Sequence, residues 1–225
     1  LYKEYSKPQT GNLRRSVGMA LYWYNTGVWP ISLESSSCRM VLNQDGSVQV
    51  QTGETEIGQG CDTVYAQMTA DAVGIPMSNV HVVTVQDTDL TPYGSGAYAS
   101  RQTYVGGFAI SKTGKILRDR ILDYAQKLTD IPKDKLDLVE GVILGPGGEK
   151  LMGLAELATE ALYSMEDSRH ISAEATAQIK SNAYSFGCSF AEVEVDLSLC
   201  RTKGLRTING HDCGKLGNPP PAAAQ

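Results

Sequence analysis

The chain has 225 residues, 41% of them hydrophobic and 20% charged, with a net charge of -5; that is enough apolar content for one large or two small cores and too little positive charge for a nucleic-acid partner. No apolar run approaches the ~20 residues needed to cross a bilayer, and no basic-then-apolar start of signal-peptide type is present, so the expected setting is the cytoplasm, with no membrane partner. Cys38, Cys61, Cys188, Cys200 and Cys213 are odd in number and no pair is two residues apart, which suits reduced thiols better than disulfides or a zinc site.

In chain order, LYKEYSKPQTGNLRR reads as a solvated polar face. Val17 to Trp29 is aromatic-dense, with Tyr22, Trp23, Tyr24 and Trp29 close together; it predicts a buried strand with an aromatic core or, more sharply, an aromatic wall for a flat ligand. Cys38 to Gln51 predicts a hairpin turned at Asp45-Gly46. The stretch TGETEIGQG, Thr52 to Gly60, then joins this hairpin to a helix capped by Asp62, with Val64, Met68 and Ala72 on one face and Tyr65, Thr69 and Val73 beside them.

After a helix stop at Gly74 and Pro76, a strand is predicted from Val80 to Gln86, with His81 read as an ordinary core or edge histidine. A second glycine-rich loop, Thr91 to Gly107, combines small residues at Gly94, Gly96, Ala97, Ala99 and Ser100 with donors at Ser95, Arg101, Gln102 and Thr103. It leads into a helix whose stripe is Ile110, Gly114, Leu117, Ile121, Tyr124 and Leu128. Gly141 to Leu151 predicts a hairpin turned by GPGG, Leu151 to Ser164 a short helix, and Met165 to His170 an exposed connection. The remainder reads as β, with Glu192, Glu194 and Asp196 alternating with apolar residues and facing water rather than forming an acid–base pair. The fold class is therefore α+β: mostly antiparallel sheets with packed helices, two strand–glycine loop–helix units, and sub-lobes at 16–165 and 171–225.

Backbone N–H groups reached through glycines at a helix start make a site for an anion or for several acceptors in a row, and two such loops suggest a long polar ligand. The first loop is not a familiar nucleotide loop. It has no P-loop lysine, and Gly53, Gly58 and Gly60 miss the Rossmann spacing. Glu54 and Glu56 would repel a phosphate placed beside them. Gln59 is the more telling residue, because an amide between two glycines donates to a ligand without bringing charge; the alternative is a structural turn.

The strings TGETEIGQG, QDTDLTPYGSGAYASRQTYVGG, FGCSFAEVEVD and HDCGKLGNPPPAAAQ, in that order, resemble the molybdenum-binding subunit of xanthine dehydrogenases in the molybdenum hydroxylase family. The resemblance implies a molybdopterin-binding domain of the xanthine oxidase and aldehyde oxidase type. By it, Gln59 lies beside the molybdenum ligands with Gly58 and Gly60 allowing close approach; Ala99, Ser100, Arg101 and Gln102 contact the pterin and its phosphate; and Gln225 also reaches the cofactor. Leu21, Tyr22, Trp23 and Tyr24 fall where the family stacks residues on the substrate ring. Residues 1–225 would be an incomplete C-terminal region of a larger subunit, since the family's catalytic glutamate, in a Gly-Glu-Pro type of context, has no counterpart here. The isolated piece is then expected to be inactive. The implied activity of the whole is oxidation of purines, hypoxanthine or xanthine, or of another N-heterocycle, with water-derived oxygen. The implied cofactors are molybdopterin, as such or as a dinucleotide, with molybdenum, and iron–sulfur clusters and FAD on partner domains or subunits. A non-catalytic cofactor-binding or assembly module of the same fold is the alternative.

Overall fold

Cys38, Met40 and Leu42 on one strand, and Val48 and Val50 on the next, fall on one face by the period of two; in the computed structural model, which describes residues 1–32, 34–83 and 85–220, all five are buried. The elements in chain order are α1 (Tyr2–Tyr5), β1 (Leu13–Thr26), β2 (Glu34–Leu42), β3 (Val48–Thr52), α2 (Cys61–Val73), β4 (Val80–Val82), α3 (Gly107–Thr129), β5 (Asp137–Val139), β6 (Val142–Leu144), β7 (Lys150–Gly153), α4 (Leu154–Tyr163), β8 (Ser172–Ile179), β9 (Ala183–Asp196) and β10 (Arg201–Asp212). A π-turn at Gln102–Gly106 leads into α3. Among the described residues no helix is long and apolar enough to cross a membrane.

The chain divides into two compact units, one of residues 1–26 with the segment from Ala183 onward, the other of residues 27–182. These differ from the lobes 16–165 and 171–225 expected from the sequence, because β1 pairs along its whole length with β9, from Leu13 opposite Asp196 to Thr26 opposite Ala183. Strand pairing between distant segments, invisible to local pattern, sets the division.

In the larger unit, a sheet of order β4-β3-β2-β8 is antiparallel except for the β3–β4 pair. Helix α3 packs on β2, β8 and α2, burying Ile110, Gly114, Leu117, Ile121 and Tyr124, while Leu128 at the end of the predicted stripe is exposed. The expected hairpin at GPGG is β6–β7, in a separate sheet of order β5-β6-β7. The strand expected over Val80 to Gln86 stops at Val82, and the helix expected from Leu151 starts at Leu154 because Lys150 to Gly153 are taken up in β7, with Lys150, Met152 and Gly153 paired to β6. Hydrogen bonds to a neighbour decide these ends; hydrophobic period does not.

The smaller unit carries the sheet β1-β9-β10. Val17 to Thr26 is strand, but the expectation of a buried aromatic core is corrected: Leu21 is 72% and Trp23 68% exposed. Glu192 accepts from Tyr5 Oη and Glu194 pairs with Arg15 at 2.9 Å, so these carboxylates are half-buried and partnered rather than fully in water.

Candidate functional site

The first glycine loop leaves β3 through Thr52, whose hydroxyl donates to Ser37 O at 3.2 Å and accepts from the Glu54 N–H at 3.3 Å. Gly53 lies backbone to backbone against Gly94 of the second loop; a Cβ on Gly53 would fall 2.5 Å from Gly94 N. Tyr93 O accepts from the Ser37 N–H at 2.9 Å, and Gly94 bridges to Ser36. The two loops are thus sealed to each other and to β2.

Further along, Glu56 turns back onto its own loop. Its Oε1 accepts from the N–H groups of Gly58 at 2.7 Å and Gly60 at 3.0 Å, and its Oε2 from that of Asp62 at 3.2 Å. The helix begins one residue before Asp62, with Gly60 as N-cap in the left-handed region at φ 82°, and no side-chain hydrogen bond caps it from that position; the expectation that Asp62 caps α2 is corrected. The N–H groups expected to receive a ligand anion are filled by the chain's own carboxylate, which suits the positive end of the helix dipole. Burial pushes the Glu56 carboxyl up, but the N–H groups of Gly60, Asp62 and Gly58 outweigh it and hold it below its ordinary value.

A folded-state value below the unfolded one means that this group stabilises the fold fully above the unfolded value of 4.5 and loses that contribution as pH falls through the lower folded value. Glu56→Gln is therefore expected to lower Tm at pH 7, with the gap to the wild type narrowing as pH falls below 4.5, by calorimetry across that range. A gap that stays constant with pH would show that the charge is irrelevant.

Cys61 and Asp62 lie beside Glu56, their ligand atoms within 4.8 Å of one another. Burial, then the charges of Glu56 and Asp62, pushes the Cys61 thiol up to about 12, and burial followed by Glu56 raises Asp62. The thiol therefore stays protonated, a poor nucleophile.

In the second loop, Ala99 and Ser100 are consecutive non-glycine residues in the left-handed region, at φ 48° and 54°, each costing about 1 kcal/mol or more. Their chain is held on both sides. The Ala99 carbonyl accepts from the Gly27 N–H at 2.8 Å, and Arg101, the next residue, is 0% exposed. Arg101 Nε donates to Glu34 Oε2 at 2.7 Å, Nη1 to both oxygens of Glu54 at 2.8 and 3.0 Å, and Nη2 to Ser35 O at 2.7 Å. Glu34 Oε1 accepts in turn from the Val28 N–H at 2.6 Å. The guanidinium expected to touch a ligand is thus turned inward, a correction whose reason is that two buried carboxylates outcompete a surface ligand for the fork.

Gln59 and Gln102, far apart in sequence, meet. Gln59 Nε2 donates to Gln102 Oε1 and, at 3.0 Å, to Thr55 O, while Gln59 Oε1 accepts from the Ile57 N–H at 2.7 Å. Gln102 Nε2 donates to Thr55 O at 3.0 Å, and Tyr65 Oη to Gln102 O at 3.0 Å. Both protons of the Gln59 amide are used within the chain, so a bond from Nε2 to a ligand requires one of these to exchange.

Leu21, Tyr22, Trp23 and Tyr24 lie on β1 in the smaller unit, where Tyr22 Oη meets His211 Nδ1 at 2.9 Å. Gln225 lies outside the described residues. Sequence reasoning missed Glu34 and the inward roles of Glu54 and Glu56. Two carboxylates in an otherwise neutral glycine loop were a signal that charge is matched from inside; nothing local marked Glu34.

With Glu34, Glu54 and Glu56 all engaged, the surface of the two loops offers Gln59, Ser100, exposed glycine backbone and the edge of Gln102. Gly58 and Gly60, at φ 100° and 82°, have open space where a Cβ would stand. A donor- and acceptor-rich surface with room for close approach fits a polar ring system such as a pterin; the charge of Glu54 is matched by Arg101, and that of Glu56 is spread over the N–H groups of its own loop.

The whole chain, residues 1–225, matches the molybdopterin cofactor-binding domain family. It is 42% identical over 219 residues to the xanthine dehydrogenase molybdenum-binding subunit of Escherichia coli O157:H7, covering 96% of this chain and 29% of the relative. It is 30% identical over 227 residues to a probable hypoxanthine oxidase of the same organism, covering 97% of this chain and 22% of the relative. Among solved structures, quinoline 2-oxidoreductase from Pseudomonas putida 86 superposes with a TM-score of 0.81 at 25% identity, over 95% of this chain and 29% of that one. The chain therefore spans less than a third of the length of these relatives.

Proposed function

Since the chain belongs to the molybdopterin cofactor-binding domain family, we propose that its two facing glycine loops hold one side of the pterin in a molybdenum hydroxylase that oxidises a purine. The observation that carries this reading is the meeting of Gln59 and Gln102 beside open glycine backbone, with Glu54 held by Arg101 and Glu56 by the N–H groups of its own loop. Gln59, Gly58, Gly60, Ala99, Ser100 and Gln102 are the groups that would hold the cofactor, by hydrogen bonds and close backbone approach. Arg101 supports them from behind. When bound, the cofactor supplies the redox chemistry; the protein supplies binding, orientation and electrostatics.

The purine substrate is favoured by the names of the relatives that are 42% and 30% identical, a xanthine dehydrogenase subunit and a probable hypoxanthine oxidase. Water as the oxygen source, a catalytic glutamate in another part of a longer polypeptide, and electron transfer to iron–sulfur and flavin partners complete the proposal. The cytoplasm is the proposed compartment, in keeping with five cysteines that are all unpaired.

Molybdenum and pterin, assayed on the full polypeptide from a host that makes the cofactor, are expected near one per chain, and their absence from folded protein would sink the reading. Gln59→Ala is expected to lower pterin content, while loss of its exposed hydrogen bonds costs about 1 kcal/mol, a Tm change of roughly 2–4 °C. Full pterin content in that variant would remove Gln59 from the site.

A further inference from the structure

Arg101 touches three separate segments, and each is tied to a loop end. Through Glu34 and Ser35 it reaches the start of β2, where Glu34 also accepts from the Val28 N–H; through Glu54 it holds the entry of the first glycine loop; and its Nη1 also donates to Gly96 O of its own loop at 3.3 Å. Its guanidinium lies over the Tyr98 ring, 5.5 Å from the centroid, and the backbone N–H of Arg101 donates to Tyr98 O at 3.1 Å. Directly before it stand the two left-handed residues, Ala99 and Ser100. Directly after it stands Gln102, the residue that meets Gln59.

Beyond the cofactor contacts themselves, and resting on the reading of the loops as a cofactor site, we infer that Glu34, Arg101 and Glu54 are positioning residues: a buried clamp that sets the spacing of the two glycine loops and holds Ala99 and Ser100 in their left-handed conformation. A strained pair of residues relaxes unless its neighbours over-determine it, and Arg101 is the neighbour with the most fixed bonds. The bidentate grip on Glu54 fixes direction as well as distance. The clamp is also unbalanced, with two carboxylates on one guanidinium and side-chain exposures of 1% and 0% against 0%. Neutralising one carboxylate therefore leaves a matched pair and a foldable chain, whereas removing the cation does not.

This imbalance makes the test possible. In the full polypeptide, Glu54→Gln, Glu34→Gln and the triple variant Arg101→Met/Glu34→Gln/Glu54→Gln are compared with the wild type for Tm, pterin content per folded chain, and amide hydrogen exchange of residues 56–60 and 96–102. A positioning role predicts that Glu54→Gln and the triple variant stay folded, lose pterin by about 10-fold or more, and exchange faster in both loops while the β6–β7 hairpin is unchanged. A merely structural role predicts that wherever folding is retained, pterin content is retained. If Arg101 were itself a ligand contact, the two glutamine variants would keep their pterin. Folded variants with wild-type pterin and unchanged loop exchange overturn the inference. Should the wild type carry no pterin, the cofactor reading fails, and loop exchange alone then decides the clamp. Should the triple variant not fold, Glu54→Gln decides it.

Discussion

Gly53→Ala is expected to destabilise the protein by about 3 kcal/mol, the upper part of the range for overpacking, which for a chain of this size is a fall in Tm of roughly 6–12 °C. The added methyl would sit 2.5 Å from Gly94 N, with the Pro92 carbonyl oxygen also against it. Real Cβ atoms do not come so close, and the opposing atoms are backbone, so no side-chain rotation relieves the contact. The loops must separate, and with them the bridge from Gly94 to Ser36. Gly58→Ala is the control, because its φ of 100° penalises a side chain but nothing stands in its way; it is expected to cost only about 1–2 kcal/mol. Thermal denaturation of both variants separates crowding from conformation. Equal losses would mean that the contact between the loops is not tight.

Arg101→Met is expected to be as damaging or more so, at about 3–5 kcal/mol, and to leave little folded protein at elevated temperature. The methionine fills much of the volume, so packing loss is minor. What remains is a pair of carboxylates, Glu34 and Glu54, both buried and both stripped of their cation. Arg101→Lys keeps the charge but lacks the planar fork that serves Glu34 through Nε and Glu54 through Nη1, and it is expected to fall between the two. Urea unfolding gives the three free energies directly. A methionine variant within about 1 kcal/mol of the wild type, below the range for breaking a buried pair, would show that the guanidinium does not hold the two carboxylates in the fold.

Several elements were legible from period and turn chemistry. The hairpin at Asp45-Gly46, the stripe of α3 and the GPGG turn all follow from side chains whose partners lie nearby in sequence. Element ends were less legible. β4 stops at Val82 although His81, Val83 and Val85 alternate as a longer strand would, because its pairing with β3 ends at Val82 opposite Val50. Exposure of the aromatic strand was not legible either, since Tyr22, Trp23 and Tyr24 have the same composition whether a second layer covers them or not.

The sequence by itself determined the α+β class, the two strand–glycine loop–helix units, the family through four ordered motifs, and the residue types at the loops. Those are local properties, set by backbone freedom at glycine, by periodicity and by short-range hydrogen bonding. Only the tertiary structure decided where charge and amide groups point. Glu56 closes the N–H groups of its own loop, Arg101 serves Glu34 and Glu54, and Gln59 meets Gln102 across 43 residues of chain. A polar side chain carries no mark of its partner, because a hydrogen bond or an ion pair is chosen by whatever group the packed chain brings within about 3 Å.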